Sequence, residues 1–76
     1  MSHYTLDARN LLCPMPVIRL QQAIAEHQAA DTIDVLCTDP GAKHDIPAWC
    51  KIHGHRVKSI DDEEHTIVIT VEKGSE

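Results

Sequence analysis

Residues 13–37, CPMPVIRLQQAIAEHQAADTIDVLC, change their hydrophobic period once. In the first half Val17, Leu20 and Ile24 fall at i, i+3 and i+7, with Arg19, Gln22 and Glu26 opposite them, which predicts an amphipathic helix to about His27. In the second half Ile33, Val35 and Cys37 recur every second residue, which predicts a strand with one buried face over Asp31–Cys37. The switch from a helical to a strand period marks a chain that alternates helix and sheet, and the flanking residues extend the alternation in both directions.

Toward the N-terminus, Tyr4 and Leu6 share a face, so His3–Asp7 reads as a strand and Ala8–Leu12 as a loop into the helix. Toward the C-terminus, Asp39-Pro40-Gly41 reads as a turn, and Ile46, Trp49, Cys50 and His53 share a helical face. A second helix is predicted from about His44 to His53, capped by Gly54, with Pro47 in its first turn, where a missing N–H costs little. Arg56–Ile60 and Thr66–Val71 read as strands joined in a hairpin by the acidic loop Asp61–Glu64. The order βαβαββ implies an α+β fold: a two-layer α/β sandwich with a mixed four-stranded sheet and both helices on one face.

The 76 residues suffice for one domain, taken as residues 1–76 with a core at about 4–73, and too small for a wide internal substrate cavity. Hydrophobic residues make up 42% and charged residues 25%, the balance of a chain that folds. The formal charge of −5 leaves no surplus of Lys and Arg to neutralise phosphates, which argues against direct nucleic-acid binding. No secretory leader and no apolar run of about 20 residues is apparent, so a cytoplasmic location without membrane attachment is expected. Three cysteines, at 13, 37 and 50, make a disulfide framework a poor explanation, and each thiol has to be judged by its surroundings.

Cys13-Pro14-Met15-Pro16 carries the most chemical information. Both prolines fall in the first helical turn, where backbone N–H groups have no intrahelical partner. Pro14 biases Cys13 toward an extended conformation that suits an N-cap residue with its thiol facing outward. The positive end of the helix dipole favours a thiolate there, while the prolines remove N–H donors that would otherwise bind the sulfur. An accessible nucleophilic sulfur is one reading of these residues. A small apolar side chain at a stiffened turn is the other.

Thr5-Leu6-Asp7-Ala8, Leu12-Cys13-Pro14-Met15-Pro16, Asp39-Pro40 and Asp45-Ile46-Pro47-Ala48-Trp49-Cys50 together resemble the TusA (SirA-like) sulfur-carrier family, a likeness running from about Thr5 to Gly74. The resemblance implies a fold similar to the C-terminal domain of translation initiation factor three. It also implies a sulfurtransferase that takes sulfane sulfur on Cys13 as a persulfide and needs no cofactor beyond that sulfur. The donor would be a cysteine desulfurase or rhodanese-like protein, the acceptor a DsrE- or TusBCD-like protein. Destinations in relatives are tRNA thiolation, molybdenum-cofactor assembly and dissimilatory sulfur oxidation. Pro14 and Pro16 would support the motif, and Arg19, Asp39 and Asp45 are candidates for docking partners. Asp39 and Asp45 also have local readings as turn or cap residues. With no large interface indicated, a monomer is expected. The alternative class is a regulatory or interaction module in which Cys13 only shapes a surface.

Cys37 and Cys50 sit on apolar faces and are expected in the core. Cys50, His53 and His55 have a spacing that invites a metal reading, but Gly54 is expected to send the two histidines in different directions, so no metal is assigned. Trp49 is expected to anchor the second helix on the sheet.

Overall fold

The computed structural model describes residues 3–12, 14–27 and 31–74. The elements run β1 (His3–Ala8), α1 (Met15–Glu26), β2 (Thr32–Cys37), α2 (Ala42–Ile52), β3 (Arg56–Glu63) and β4 (Thr66–Glu72). They form one four-stranded sheet in the order β1-β2-β4-β3. β1 and β2 are parallel, as their helical crossover requires, while β2–β4 and β3–β4 are antiparallel. This is the mixed sheet and βαβαββ order predicted from the period switches.

The strand registers set the core. Leu6 lies beside Val35, Val35 beside Ile69, and Ile33 beside Val71, all buried on the face that the helices cover. Pro16, Leu20 and Ala23 form the buried stripe of α1, with Val17 and Ile24 half-buried against it. Ala42, Ile46 and Cys50 do the same for α2. With no Phe in the chain, branched aliphatics fill the interior, and none of the buried residues among those described is polar or charged. The opposite face of the sheet is uncovered and polar. There Asp34 accepts from the Thr70 hydroxyl at 2.7 Å and lies 3.0 Å from His3 Nε2.

Four local expectations are corrected. α1 takes Pro14, and not Cys13, as its N-cap, because the first carbonyl to receive helical N–H groups is that of Pro14, from Val17 and Ile18. Cys13 itself lies outside the described residues. α2 begins at Ala42, earlier than His44, because the turn winds directly into it: the N–H groups of Ala42 and Lys43 donate to the carbonyls of Asp39 and Pro40. Pro47 therefore sits inside the helix, one turn later than expected, where it forgoes a bond to the carbonyl of Lys43. β3 does not stop at Ile60 but carries Asp61, Asp62 and Glu63 into the sheet opposite Val68, Ile67 and Thr66. The hairpin closes on Glu64 and His65, both with positive φ, the pattern of a tight turn matched to strand twist.

β3 is an edge strand exposed along almost all of its length. A bulge between Val57 and Ser59 and the row of carboxylates mark it as an edge kept from pairing further. Asp62 points to the helix side and reaches Lys43 of α2 at 2.8 Å. No helix among the described residues is long and apolar enough to cross a membrane.

Candidate functional site

The end of β1, the entry to α1 and the end of β2 meet at one edge of the molecule. Asn10 takes a positive φ of 66°, a conformation that asparagine tolerates better than most residues, and its N–H donates to the Thr38 hydroxyl at 2.9 Å. The loop after β1 is thereby tied to the loop after β2. Arg9 folds back on Asp7, with Nε and Nη2 each 2.9 Å from a carboxylate oxygen. The hydrogen bonds from the Arg9 side chain and backbone hold the Asp7 carboxyl down to about 2.

From this platform the chain passes Leu12, reaches Pro14 and starts α1. Met15 N–H donates to the Leu12 carbonyl at 2.8 Å, spanning the two residues between them. Val17 N–H donates to the Pro14 carbonyl at 3.1 Å, and Pro14 and Pro16 have no N–H to give. The opening turn of α1 thus has every donor either absent or engaged, an unusual state for a helix start. What remains at this end is the field of the helix without free N–H groups. Pro16 is buried and fixes the turn against the core, whereas Pro14 is exposed.

The side chains around this turn are apolar and open. Leu12 is 75% exposed, and Met15 and Ile18, one turn apart on α1, are also exposed. Sequence reading passed over them because single exposed apolar residues are ordinary; only the fold gathers them beside the motif.

Arg19 lines an open depression of about 470 Å³ together with Arg9, Asn10, Thr38, His65 and Thr66. The depression is open to solvent and is not an internal cavity. It is assembled from four separate segments, and only Arg19 among these residues stood out in the sequence. Asp39 and Asp45 lie elsewhere. Asp39 caps its own turn, accepting the Gly41 N–H at 3.1 Å, and Asp45 is in the first turn of α2, where a carboxylate suits the helix dipole.

Cys37 and Cys50 are buried in the core, at 0% and 1% exposure. Burial pushes both thiols up to about 11, with Asp39 adding to the rise at Cys37. Neither is a usable nucleophile near neutral pH. The rings of His53 and His55 both lie against Trp49, with centroids 4.5 Å and 5.4 Å away, so Trp49 binds the end of α2 to the loop that follows it. Among the described residues no three His, Cys, Asp or Glu side chains converge as metal ligands.

The sequence model of the family described as Sulfurtransferase TusA matches residues 4–73. YrkI of Bacillus subtilis (strain 168) is 38% identical over 73 residues, covering 96% of this chain and 97% of that one. The sulfur carrier protein TusA of Pseudomonas syringae pv. syringae (strain B728a) is 37% identical over 71 residues, covering 93% and 84%. Among solved structures, a SirA-like protein from Desulfitobacterium hafniense superposes with a TM-score of 0.80 at 26% identity, over 95% of this chain and 99% of that one.

Proposed function

Because this chain belongs to the TusA sulfurtransferase family and is a sulfur carrier, we propose that Cys13 is the atom on which it carries sulfur, as a persulfide passed between proteins. The observation that carries this reading is the opening turn of α1. Its N–H groups are absent at Pro14 and Pro16 and engaged at Met15 and Val17, so none is left to bind a thiolate next to them. Such a sulfur feels the helix field yet keeps its lone pairs, and nucleophilicity falls less than it would under several strong hydrogen bonds.

The step balances without a cofactor. The Cys13 thiolate attacks the outer sulfur of a donor persulfide, one S–S bond forms on Cys13, the donor's S–S bond breaks, and the donor leaves as a thiolate. Delivery is the same exchange with the roles reversed. Cys37 and Cys50 are too deeply packed to compete.

Docking to donor and acceptor falls to the exposed Leu12, Met15 and Ile18, which frame the motif with apolar surface that a protein partner can cover. Arg19 extends that surface with a cation, whereas Asp39 and Asp45 serve their own turns first. A cysteine desulfurase or rhodanese-like donor and a DsrE- or TusBCD-like acceptor both meet these requirements. The same sulfur on the same surface serves tRNA thiolation and sulfur oxidation alike, in the cytoplasm, so the partner decides the destination.

The test is intact-mass measurement after incubation with a persulfide-loaded donor. The wild-type chain is expected to gain one sulfur atom, reversible by a reducing thiol, and Cys13→Ser to gain none. Retention of the added sulfur in Cys13→Ser would move the carrier atom elsewhere.

A further inference from the structure

The depression beside the helix start has a chemistry of its own. It lies at the carboxyl ends of the parallel pair β1–β2, the side of an α/β unit on which ligands collect. Its lining is polar, and its size is that of a small-molecule site. Asn10 and Leu11 border it just before the cysteine motif in the chain.

The charges do not cancel. Asp7, the carboxylate on the rim, is spent on Arg9 through two short bonds and stays ionised. That pair is neutral as a unit, and the second terminal nitrogen of the guanidinium, Nη1, makes no hydrogen bond to a described residue. Arg19 enters from α1 with no ion-pair partner among the described residues. On a chain of net charge −5, this is a place where a cation faces open space with no carboxylate of its own.

The neutral groups fit the same ligand. Thr38 Oγ1 already accepts the Asn10 N–H, so its own hydroxyl proton is left to donate outward. Thr66 adds a second hydroxyl, and His65, an exposed residue of the hairpin turn, an imidazole. Two guanidinium groups and two hydroxyls arrayed around a small hollow are suited to several oxygens on one atom.

We propose that this depression binds a small tetrahedral oxyanion of the sulfate or phosphate class, with Arg19 as its principal charge. The binding is independent of sulfur carriage on Cys13. It gives the protein a small-molecule ligand in addition to protein partners, placed where occupancy bears on the approach to α1.

The experiment is a titration of the ¹⁵N-labelled chain with sodium sulfate at constant ionic strength, sodium chloride being the balancing salt. Saturable shifts are expected at the amides of Asn10, Leu11, Thr38, His65 and Thr66, with millimolar affinity. Arg19→Gln, on an exposed helical position, is expected to keep the spectrum of a folded chain and to bind about tenfold more weakly. Arg56→Gln, which removes a cation paired with Glu72 on the other side of the sheet, is expected to bind as the wild type does. Cys13→Ser is also expected to bind as the wild type does, so failure of the carrier reading leaves this result standing. A parallel arm with adenosine 5′-monophosphate separates sources: saturation by sulfate alone indicates a free ion, and saturation by both a phosphoryl group on a larger ligand. Linear shifts without saturation, or equal affinity in Arg19→Gln, would overturn the proposal.

Discussion

The backbone N–H of Gly74 donates to Nδ1 of His55 at 2.9 Å, joining the end of β4 to the loop that leaves α2. Only an unprotonated Nδ1 can accept. Burial, followed by the neighbouring charges of His53 and Lys73, lowers the His55 pKa below its ordinary value of 6.5. A histidine with a depressed folded pKa favours folding fully above the unfolded value, and the contribution is lost as pH falls through the folded one. The urea midpoint of the wild type is therefore expected to fall from pH 7.5 to pH 5.5, and to fall less in His55→Gln, which has no proton to gain. An identical decline in the two proteins would show that His55 plays no part in it.

Gly74 is held in the same contact by its lack of a side chain. A Cβ there would collide with the carbonyl oxygen of Gly54, a backbone atom that cannot swing aside. Gly74→Ala is expected to cost about 1–3 kcal/mol in urea unfolding. A loss below a few tenths would mean the chain end can move off the loop freely.

Leu20 is fully buried between α1 and the sheet. Leu20→Ala is expected to cost about 2–5 kcal/mol. A chain of 76 residues has roughly 4–11 kcal/mol in all, so the variant is expected to be partly unfolded at 37 °C by circular dichroism. Full helical content with an unchanged midpoint would contradict the packing described.

Thiol alkylation separates the three cysteines. Cys37 and Cys50, with thiols near 11, hold about a thousandth of their population as thiolate at pH 8 and are covered besides. Native protein treated briefly with iodoacetamide is expected to gain a single label, on Cys13, and urea-unfolded protein three. Rapid native labelling of Cys50 would require α2 to open readily.

Much of this architecture is legible in the residues because burial is periodic. β2 and β4 alternate strictly, and every second residue is indeed on the covered face. α1 announces itself through Val17, Leu20 and Ile24, although Pro16 and Ala23 take deeper places than Val17 and Ile24 do. The failures occur where burial is not the deciding force. Asp61, Asp62 and Glu63 look like a solvated loop because they are solvated, yet backbone pairing with β4 makes them strand. Glu64 and His65 adopt positive φ without the Asn-Gly signal that usually marks such a turn. α2 starts early because Asp39 and Pro40 offer carbonyls that the periodicity of its apolar face does not reveal. The motif at the start of α1 is contiguous and therefore visible. Arg9, Thr38, His65 and Thr66 come together only through the crossing of four strands and a helix, and no spacing in the chain encodes that meeting.

The bulged, carboxylate-bearing margin of β3 bears on how a shuttle of this kind lives in crowded solution. An open strand invites a neighbouring molecule to add its own, but here an added strand would meet the bulge between Val57 and Ser59 and would strip water from the charged side chains of Arg56, Lys58, Asp61, Asp62 and Glu63. That margin gives an incoming strand no regular ladder to extend.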